Sequence, residues 1–244
     1  MNIFYQPDNT KNFLEGEEAQ HCTKVLRMRV GDELTITDGR GKKSIGTLSE
    51  ILRNRCTFEV HSLEQLPPLP YEIEMAICPT RKAERNEWMV EKMTEMGVQR
   101  INFMMSEHTH RPTTMRVVNM ERLNRIALSA MKQSQQYYLP EINFFSSIEK
   151  FFEQNAAEVR CIAYVEESVS NRHLFQEIGN QDSVSIMIGP EGDFSTSEIQ
   201  LALDQHYVPV SLGATRLRTE TAAVLACHSV HLAKSRYDVA FQAN

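Results

Sequence analysis

The first 66 residues break into short apolar runs separated by turn residues. Ile3–Tyr5 can start a strand, and Glu33–Asp38, Lys43–Leu52 and Cys56–Leu63 are rich in Thr, Ile, Val and Phe, residue types that fit a pleated, half-buried surface. Glu17–Leu26 has the spacing of one short helix. Asp38-Gly39-Arg40-Gly41 is a hairpin signal, because its glycines allow the positive φ that tight turns between antiparallel strands require. Short strands, one helix and glycine turns predict a small β-barrel over residues 1–68.

Leu66-Pro67-Pro68-Leu69-Pro70 ends that pattern. Proline has a fixed φ and no N–H, so this run favours an extended connector. Beyond it, apolar strands alternate with helical periods. Glu72–Ile77, Ile101–Met105, Val159–Val165, Val184–Ile188 and Val208–Leu212 read as strands. Glu84–Gly97 reads as a helix with Trp88, Met89, Met93 and Met96 on one core stripe, and Arg116–Gln136 as one long helix. The alternation predicts a second domain over residues 71–244, of α/β class with a mainly parallel sheet.

Within this domain Ser185–Ala226 stands apart. An apolar strand ends in Gly189-Pro190-Glu191-Gly192, and Ser195 with Glu198 has capping-box spacing ahead of a helix. A second strand ends in Gly213, and Arg216-Leu217-Arg218-Thr219-Glu220-Thr221-Ala222 leads into an Ala-rich helix. The three glycines after residue 180 all stand at strand ends, where glycine allows positive φ and lets a ligand approach the backbone. Ligands of open α/β sheets bind at the carboxyl ends of strands. The paired loops therefore predict a site for a nucleotide-like small ligand, tight turns without a ligand being the other reading. Neither loop has dinucleotide or Walker spacing, and Gly41-Lys42-Lys43-Ser44 lacks Walker spacing too.

Composition adds three constraints. No apolar run reaches the roughly 18–20 residues that span a bilayer, and the N-terminus lacks a signal-peptide pattern, so a cytoplasmic protein without membrane partners is expected. Cys22, Cys56, Cys78, Cys161 and Cys227 are scattered, with no Cys-x-x-Cys pair, which predicts reduced, buried thiols. His108-x-His110 and Cys227/His228/His231 have partial ligand spacing but no further partner, so no metal is expected. Net charge is −6, yet residues 24–55 carry 8 basic against 4 acidic residues. Local potential governs nucleic-acid contact. Lys24, Arg27, Arg29, Arg40, Lys42 and Lys43 are candidate phosphate contacts, an ordinary solvated surface being the alternative.

Ile188-Gly-Pro-Glu-Gly-Asp-Phe-Ser195 and Leu212-Gly-Ala-Thr-Arg-Leu-Arg-Thr-Glu-Thr-Ala222 closely resemble the two C-terminal signatures of the RsmE family. These are 16S ribosomal RNA uridine N3-methyltransferases of the knotted SPOUT class. Further matches are His21 with Val25-Leu26-Arg27-Met28-Arg29-Val30-Gly31-Asp32, then Lys82-Ala-Glu-Arg85 with Glu95-Met-Gly97, and Ala130-Met-Lys-Gln-Ser134 with Leu139-Pro140. The resemblance covers essentially all 244 residues. It implies an N-terminal PUA-like β-barrel that binds RNA and a C-terminal α/β domain tied in a deep trefoil knot. It also implies S-adenosylmethionine bound in that knot at a homodimer interface, and methylation of N3 of one uridine in 16S rRNA of the small ribosomal subunit. Two departures stand out. Asp193 replaces the usual last glycine of its loop, which Asp tolerates because it adopts left-handed conformations. Lys132 and Gln136 stand where the family usually has Glu and Arg, so no family role is carried to them.

The resemblance implies Leu212, Gly213 and Leu217 around adenine and ribose, with Ile188, Gly189, Pro190 and Gly192 as the facing wall. Arg218, Thr221 and Ala222 complete the implied cofactor set. Methyl transfer depends chiefly on positioning, and a uridine N3 must lose its proton to attack. Arg218 is expected to stabilise charge on the base oxygens, and its planar fork also suits phosphate. Glu220 and Glu191 are candidates for accepting the proton or orienting Arg218, with Glu220 alternatively stabilising a helix N-terminus. Lys82 and Arg85, one helical turn apart, are candidate RNA contacts or a solvated face. Tyr137 and Tyr138 are read as structural. Methylation of another RNA or of a ribose 2′-OH, and a non-catalytic RNA-binding protein, are the competing functions.

Overall fold

The computed structural model describes residues 2–164 and 172–236, and the chain divides into two units. One is Met1–Pro68 with Leu128–Leu139, the other Leu69–Ala127 with Pro140–Asn244.

In the first unit β1 (Ile3–Tyr5), β2 (Phe13–Glu15), β3 (Glu33–Thr37), β4 (Lys42–Ile51) and β5 (Arg55–Gln65) form a sheet in the order β1-β3-β4-β5-β2. Phe4, Leu14, Leu34, Ile36, Leu48 and Phe58 are buried in its core with Cys22 and Cys56. Gly39 and Gly41 take φ of 74° and 90° at the β3–β4 hairpin. The β4–β5 register shifts at Gly46, where a Cβ would lie 2.6 Å from the Glu59 carbonyl oxygen, so this bulge admits only glycine. Two expectations change here. The helix over Glu17–Leu26 is α1 (Gly16–Gln20) followed by a π-helical turn, His21–Val25. Residues 128–139, expected in the second domain, belong to this unit because they bond to it. Lys132 pairs with Glu18, Gly41 N–H donates to Tyr137 O, Leu139 N–H to Gly39 O, and the Tyr138 hydroxyl to Leu66 O. Tyr137 and Tyr138 are structural, and so is the departure at Lys132.

In the second unit the strands are β6 (Glu72–Ile77), β7 (Arg100–Met104), β8 (Glu141–Phe145), β9 (Val159–Ala163), β10 (Ser183–Ile188) and β11 (Val208–Val210). The helices are α2 (Ala83–Glu95), α3 (Arg111–Val117), α4 (Met120–Gln133, whose residues from Leu128 onward belong to the first unit), α5 (Ile148–Phe152), α6 (Leu174–Glu177), α7 (Thr196–Asp204) and α8 (Thr219–Ser235). The sheet runs β11-β9-β10-β6-β7-β8 with every pair parallel. Strand order reverses between β6 and β10, the kind of position where such sheets bind ligands. Ile73, Met75, Ile77, Val184, Ile186 and Ile188 are buried on one face, and Ala76 and Met187 on the other, as both faces of a parallel sheet must be.

The long helix expected over Arg116–Gln136 is broken. Val118 is extended (φ −106°, ψ 90°), and the Asn119 side chain accepts from Arg122 N–H to start α4 afresh. Trp88, expected in the core with Met89 and Met93, is 42% exposed while those two are buried. β8 and α5 were not expected. The strand expected over Val159–Val165 runs Val159–Ala163; Val165 lies outside the described residues. All five cysteines are buried and free. Among the described residues no helix is long and apolar enough to cross a membrane.

One polar group interrupts the apolar sheet. Buried Glu74 accepts from Arg100 Nε at 3.2 Å, from Asn102 Nδ2 at 2.9 Å and from Asn155 Nδ2. Glu74→Ala strands Asn102 Nδ2, while Arg100 keeps Glu72 at 2.9 Å and Asn155 Nδ2 keeps Ser185 Oγ at 2.7 Å, and is expected to cost about 2 kcal/mol. The measurement is a lower urea midpoint at unchanged slope.

Candidate functional site

The carboxyl ends of β9, β10 and β11 enclose a cavity of about 750 Å³. Its walls are Ala163 and Tyr164 after β9, Ile188–Asp193 after β10, Val210–Thr219 after β11, and Ala222 on α8.

The Gly189–Asp193 loop is held from behind by its neighbours. Cys78 N–H donates to the Ile188 carbonyl at 2.9 Å, and Arg81 N–H to Glu191 Oε1 at 3.2 Å. His108 Nδ1 lies 2.9 Å from the Asp193 carbonyl oxygen. Ser195 caps α7 in the expected box with Glu198, whose other oxygen accepts from Glu107 N–H at 2.7 Å. Neither Gly189 nor Gly192 takes a positive φ, and close packing accounts for Gly189 alone. A Cβ on Gly189 would lie 3.2 Å from Asp193 Oδ1 and from the Phe194 ring, and one on Gly192 3.5 Å from His108 Cβ. The left-handed residue of this loop is Asp193 itself, at φ 61°.

In the second loop Gly213 takes φ 137°, and the Ser211 hydroxyl donates to its carbonyl and accepts from its N–H, both at 3.1 Å. Buried Thr219 opens α8 and donates its hydroxyl to the Gly189 carbonyl at 3.1 Å. That bond joins the two loops. Sequence reasoning missed Thr219, together with Tyr164 and Ser211; a threonine opening an Ala-rich helix was the one available signal.

Of the cofactor candidates, Ile188, Gly189, Pro190, Gly192, Leu212, Gly213, Leu217, Arg218 and Ala222 line the cavity, and Thr221 does not. Arg218 is the exposed N-cap residue of α8. The two catalytic candidates are not brought together: Glu220 lies outside the cavity lining, with Oε1 3.3 Å from Arg85 Nη1. Its Oε2 is buried without a hydrogen-bond partner. Arg85, a candidate RNA contact, is therefore committed to this pair, while Lys82 is the exposed residue preceding α2. Glu191 does line the cavity.

In the first unit Lys24, Arg27, Arg29 and Arg40 are exposed. Lys43 pairs with Glu64 at 3.7 Å and lies over the Tyr137 ring. Burial pushes the Cys161 and Cys227 thiols up to about 12 and the Cys78 thiol well above its ordinary value, so these three offer no thiolate nucleophile. Among the described residues no group of three or more His, Cys, Asp or Glu side chains could hold a metal ion.

A parallel α/β domain with a loop-built cavity at its carboxyl edge, joined to a small β domain, defines the class to which the chain's relatives belong. Residues 67–231 match the model of the RNA methyltransferase domain, and residues 14–60 that of the RNA methyltransferase PUA domain. The chain belongs to this RNA methyltransferase family, and the resemblance to the RsmE family is borne out. Ribosomal RNA small subunit methyltransferase E of Rickettsia conorii is 26% identical over 92% of this chain and 91% of its own length. A probable rRNA-methyltransferase from Porphyromonas gingivalis is 41% identical, with a TM-score of 0.88 over 98% of this chain and 100% of that one. A putative methyltransferase from Legionella pneumophila, solved with bound SAM, is 26% identical with a TM-score of 0.83 over 96% and 98%.

The Arg85–Glu220 pair has a measurable worth. Arg85→Met leaves a half-shielded carboxylate without its cation. A double-mutant cycle with Glu220→Gln is expected to give a coupling of about 1–2 kcal/mol in urea unfolding, and zero coupling would show the pair to be energetically idle.

Proposed function

We propose that this protein is an S-adenosylmethionine-dependent methyltransferase that modifies N3 of a specific uridine in 16S rRNA of the small ribosomal subunit. The observation that carries the reading is the cavity built by the two signature loops. Seven of its nineteen lining residues are glycine, alanine or proline, small side chains that leave peptide groups within reach of an adenine or ribose. A trefoil knot in the C-terminal domain belongs to the same proposal and rests on the resemblance of the two signature loops to those of the RsmE family.

Bound S-adenosylmethionine supplies an electrophilic methyl group on its sulfonium. The chain's own task is to orient the base and handle its N3 proton. Arg218, at the edge of the cavity, stabilises the negative charge that deprotonation spreads onto the uracil oxygens. Glu191 is the carboxylate in position to take the proton, through the oxygen that Arg81 does not engage. Glu220 is assigned the different task of fixing the start of α8. Lys24, Arg27, Arg29 and Lys82 are proposed phosphate contacts, which position RNA without reading its sequence. A homodimer in the cytoplasm completes the reading. Leu225 and Leu232, seven residues apart on α8, are 40% and 48% exposed on one helical face.

The test is methylation of small subunits and of free 16S rRNA from a strain lacking the enzyme, with the modified base mapped. A methyl group on a ribose oxygen, or on another RNA, would replace the proposal. Arg218→Ala is expected to lower kcat by about 100-fold or more, and Glu191→Gln by about 100-fold. Isothermal titration with S-adenosylhomocysteine reports whether cofactor binding survives in each.

A further inference from the structure

His108 is used by neither the cofactor lining nor the chemistry. Its place is the back of the Gly189–Asp193 loop. The ring is carried on a rigid turn after β7. The Ser106 and Thr109 hydroxyls lie 2.7 Å apart, Thr109 N–H donates to Ser106 O at 3.0 Å, and Glu107 N–H is fixed to Glu198. From that turn His108 reaches the Asp193 carbonyl with Nδ1 at 2.9 Å and packs beneath Gly192, where a Cβ would come within 3.5 Å of it. The other face of the same five residues lines the cavity. A strut on a fixed turn thus braces a loop whose left-handed Asp193 holds an uncommon backbone conformation.

We propose that His108 is a positioning residue for the cofactor, donating from Nδ1 to the Asp193 carbonyl to hold Gly189–Asp193 in its binding conformation, and that its protonation couples cofactor affinity to pH. The inference rests on the S-adenosylmethionine reading of the cavity. A carbonyl can only accept, so the bond needs a proton on Nδ1. Imidazolium always carries one there, and neutral imidazole does so in only one of its two tautomers. The charged groups around the ring are Glu107 on its own turn, Glu198 from α7, Glu191 and Asp193 on the loop, and Arg81 and His110 across a narrow cleft. The Asp193 carbonyl first, and the Glu107 and Glu198 carboxylates after it, hold the imidazole above its ordinary value, against a smaller desolvation effect. The raised value sets the sign. The bracing is fully present below the ordinary imidazole value and weakens as pH rises through the raised one, where only the Nδ1–H tautomer still donates.

The experiment measures S-adenosylhomocysteine affinity by isothermal titration between about pH 5.5 and 8.5 for the full chain and for His108→Gln, His108→Ala and His110→Gln. Wild-type affinity is expected to fall by roughly three- to tenfold across that range, the worth of one hydrogen bond. His110→Gln should keep that slope. His108→Ala should bind weakly at every pH, and His108→Gln, whose amide donates at any pH, should bind with intermediate affinity and no slope. In steady state the loss should fall on KM for S-adenosylmethionine rather than on kcat, which a general loss of folding would not produce. Wild-type affinity in His108→Ala, or a wild-type slope that persists in His108→Gln, would overturn the inference. Wild-type protein that binds no S-adenosylhomocysteine at any pH would overturn the cofactor reading itself. Imidazole ¹⁵N titration, which needs no ligand, would then still report whether His108 holds its Nδ1 proton against Asp193.

Discussion

The site depends on one cross-tie, the hydrogen bond from the Thr219 hydroxyl to the Gly189 carbonyl. In the sheet β9 lies between β10 and β11, so the loops leaving β10 and β11 must reach over the end of β9 to meet. A parallel sheet offers no hairpin to bring them together. Side-chain and backbone bonds at the carboxyl edge do that work. Because Thr219 is also the first residue of α8, the same bond fixes where the helix begins and therefore which of its residues face the cavity.

Helix geometry then sorts the Arg218–Ala222 run. Successive residues turn by about 100°, so Arg218, Thr219 and Ala222 share a face while Glu220 lies nearly opposite. The cavity lining follows that division, including Arg218, Thr219 and Ala222 and omitting Glu220 and Thr221. A sequence motif read as one functional string is thus split by the helix into a ligand face and a packing face. Sequence adjacency of Arg218 and Glu220 suggested a catalytic pair, and the rotation between them removes it.

Features set by local chemistry were legible before the structure. The Gly39 and Gly41 hairpin, the Ser195–Glu198 capping box, the apolar central strands β6 and β10 and the two strand-end loops all depend on residues close in sequence. Features set by distant partners were not. The break at Val118 and Asn119 lies inside a helical period that the pattern continues across. β2 and β8 are too short to show a period and exist because β5 and β7 pair with them. Residues 128–139 join the first unit through Lys132, Tyr137, Tyr138 and Leu139, and no composition change marks the crossing. His108 showed only a partial ligand spacing with no role attached, because its carbonyl partner, Asp193, is 85 residues away.

The two carboxylates near the signature loops show how much the surroundings decide. Glu220 has one oxygen against a guanidinium and the other sealed in protein. A carboxylate so placed neutralises Arg85 and favours the N-terminus of α8, where backbone N–H groups are unpaired, and it is not among the residues lining the cavity. Glu191 has one oxygen fixed by Arg81 N–H and sits in the cavity wall. Fixing one oxygen orients the carboxylate and leaves the other to accept a proton, which is the arrangement general-base chemistry needs. The loop that carries Glu191 is the loop that His108 and Thr219 brace. On the proposed reading, holding a cofactor and placing a base are therefore one property of the backbone from Gly189 to Asp193.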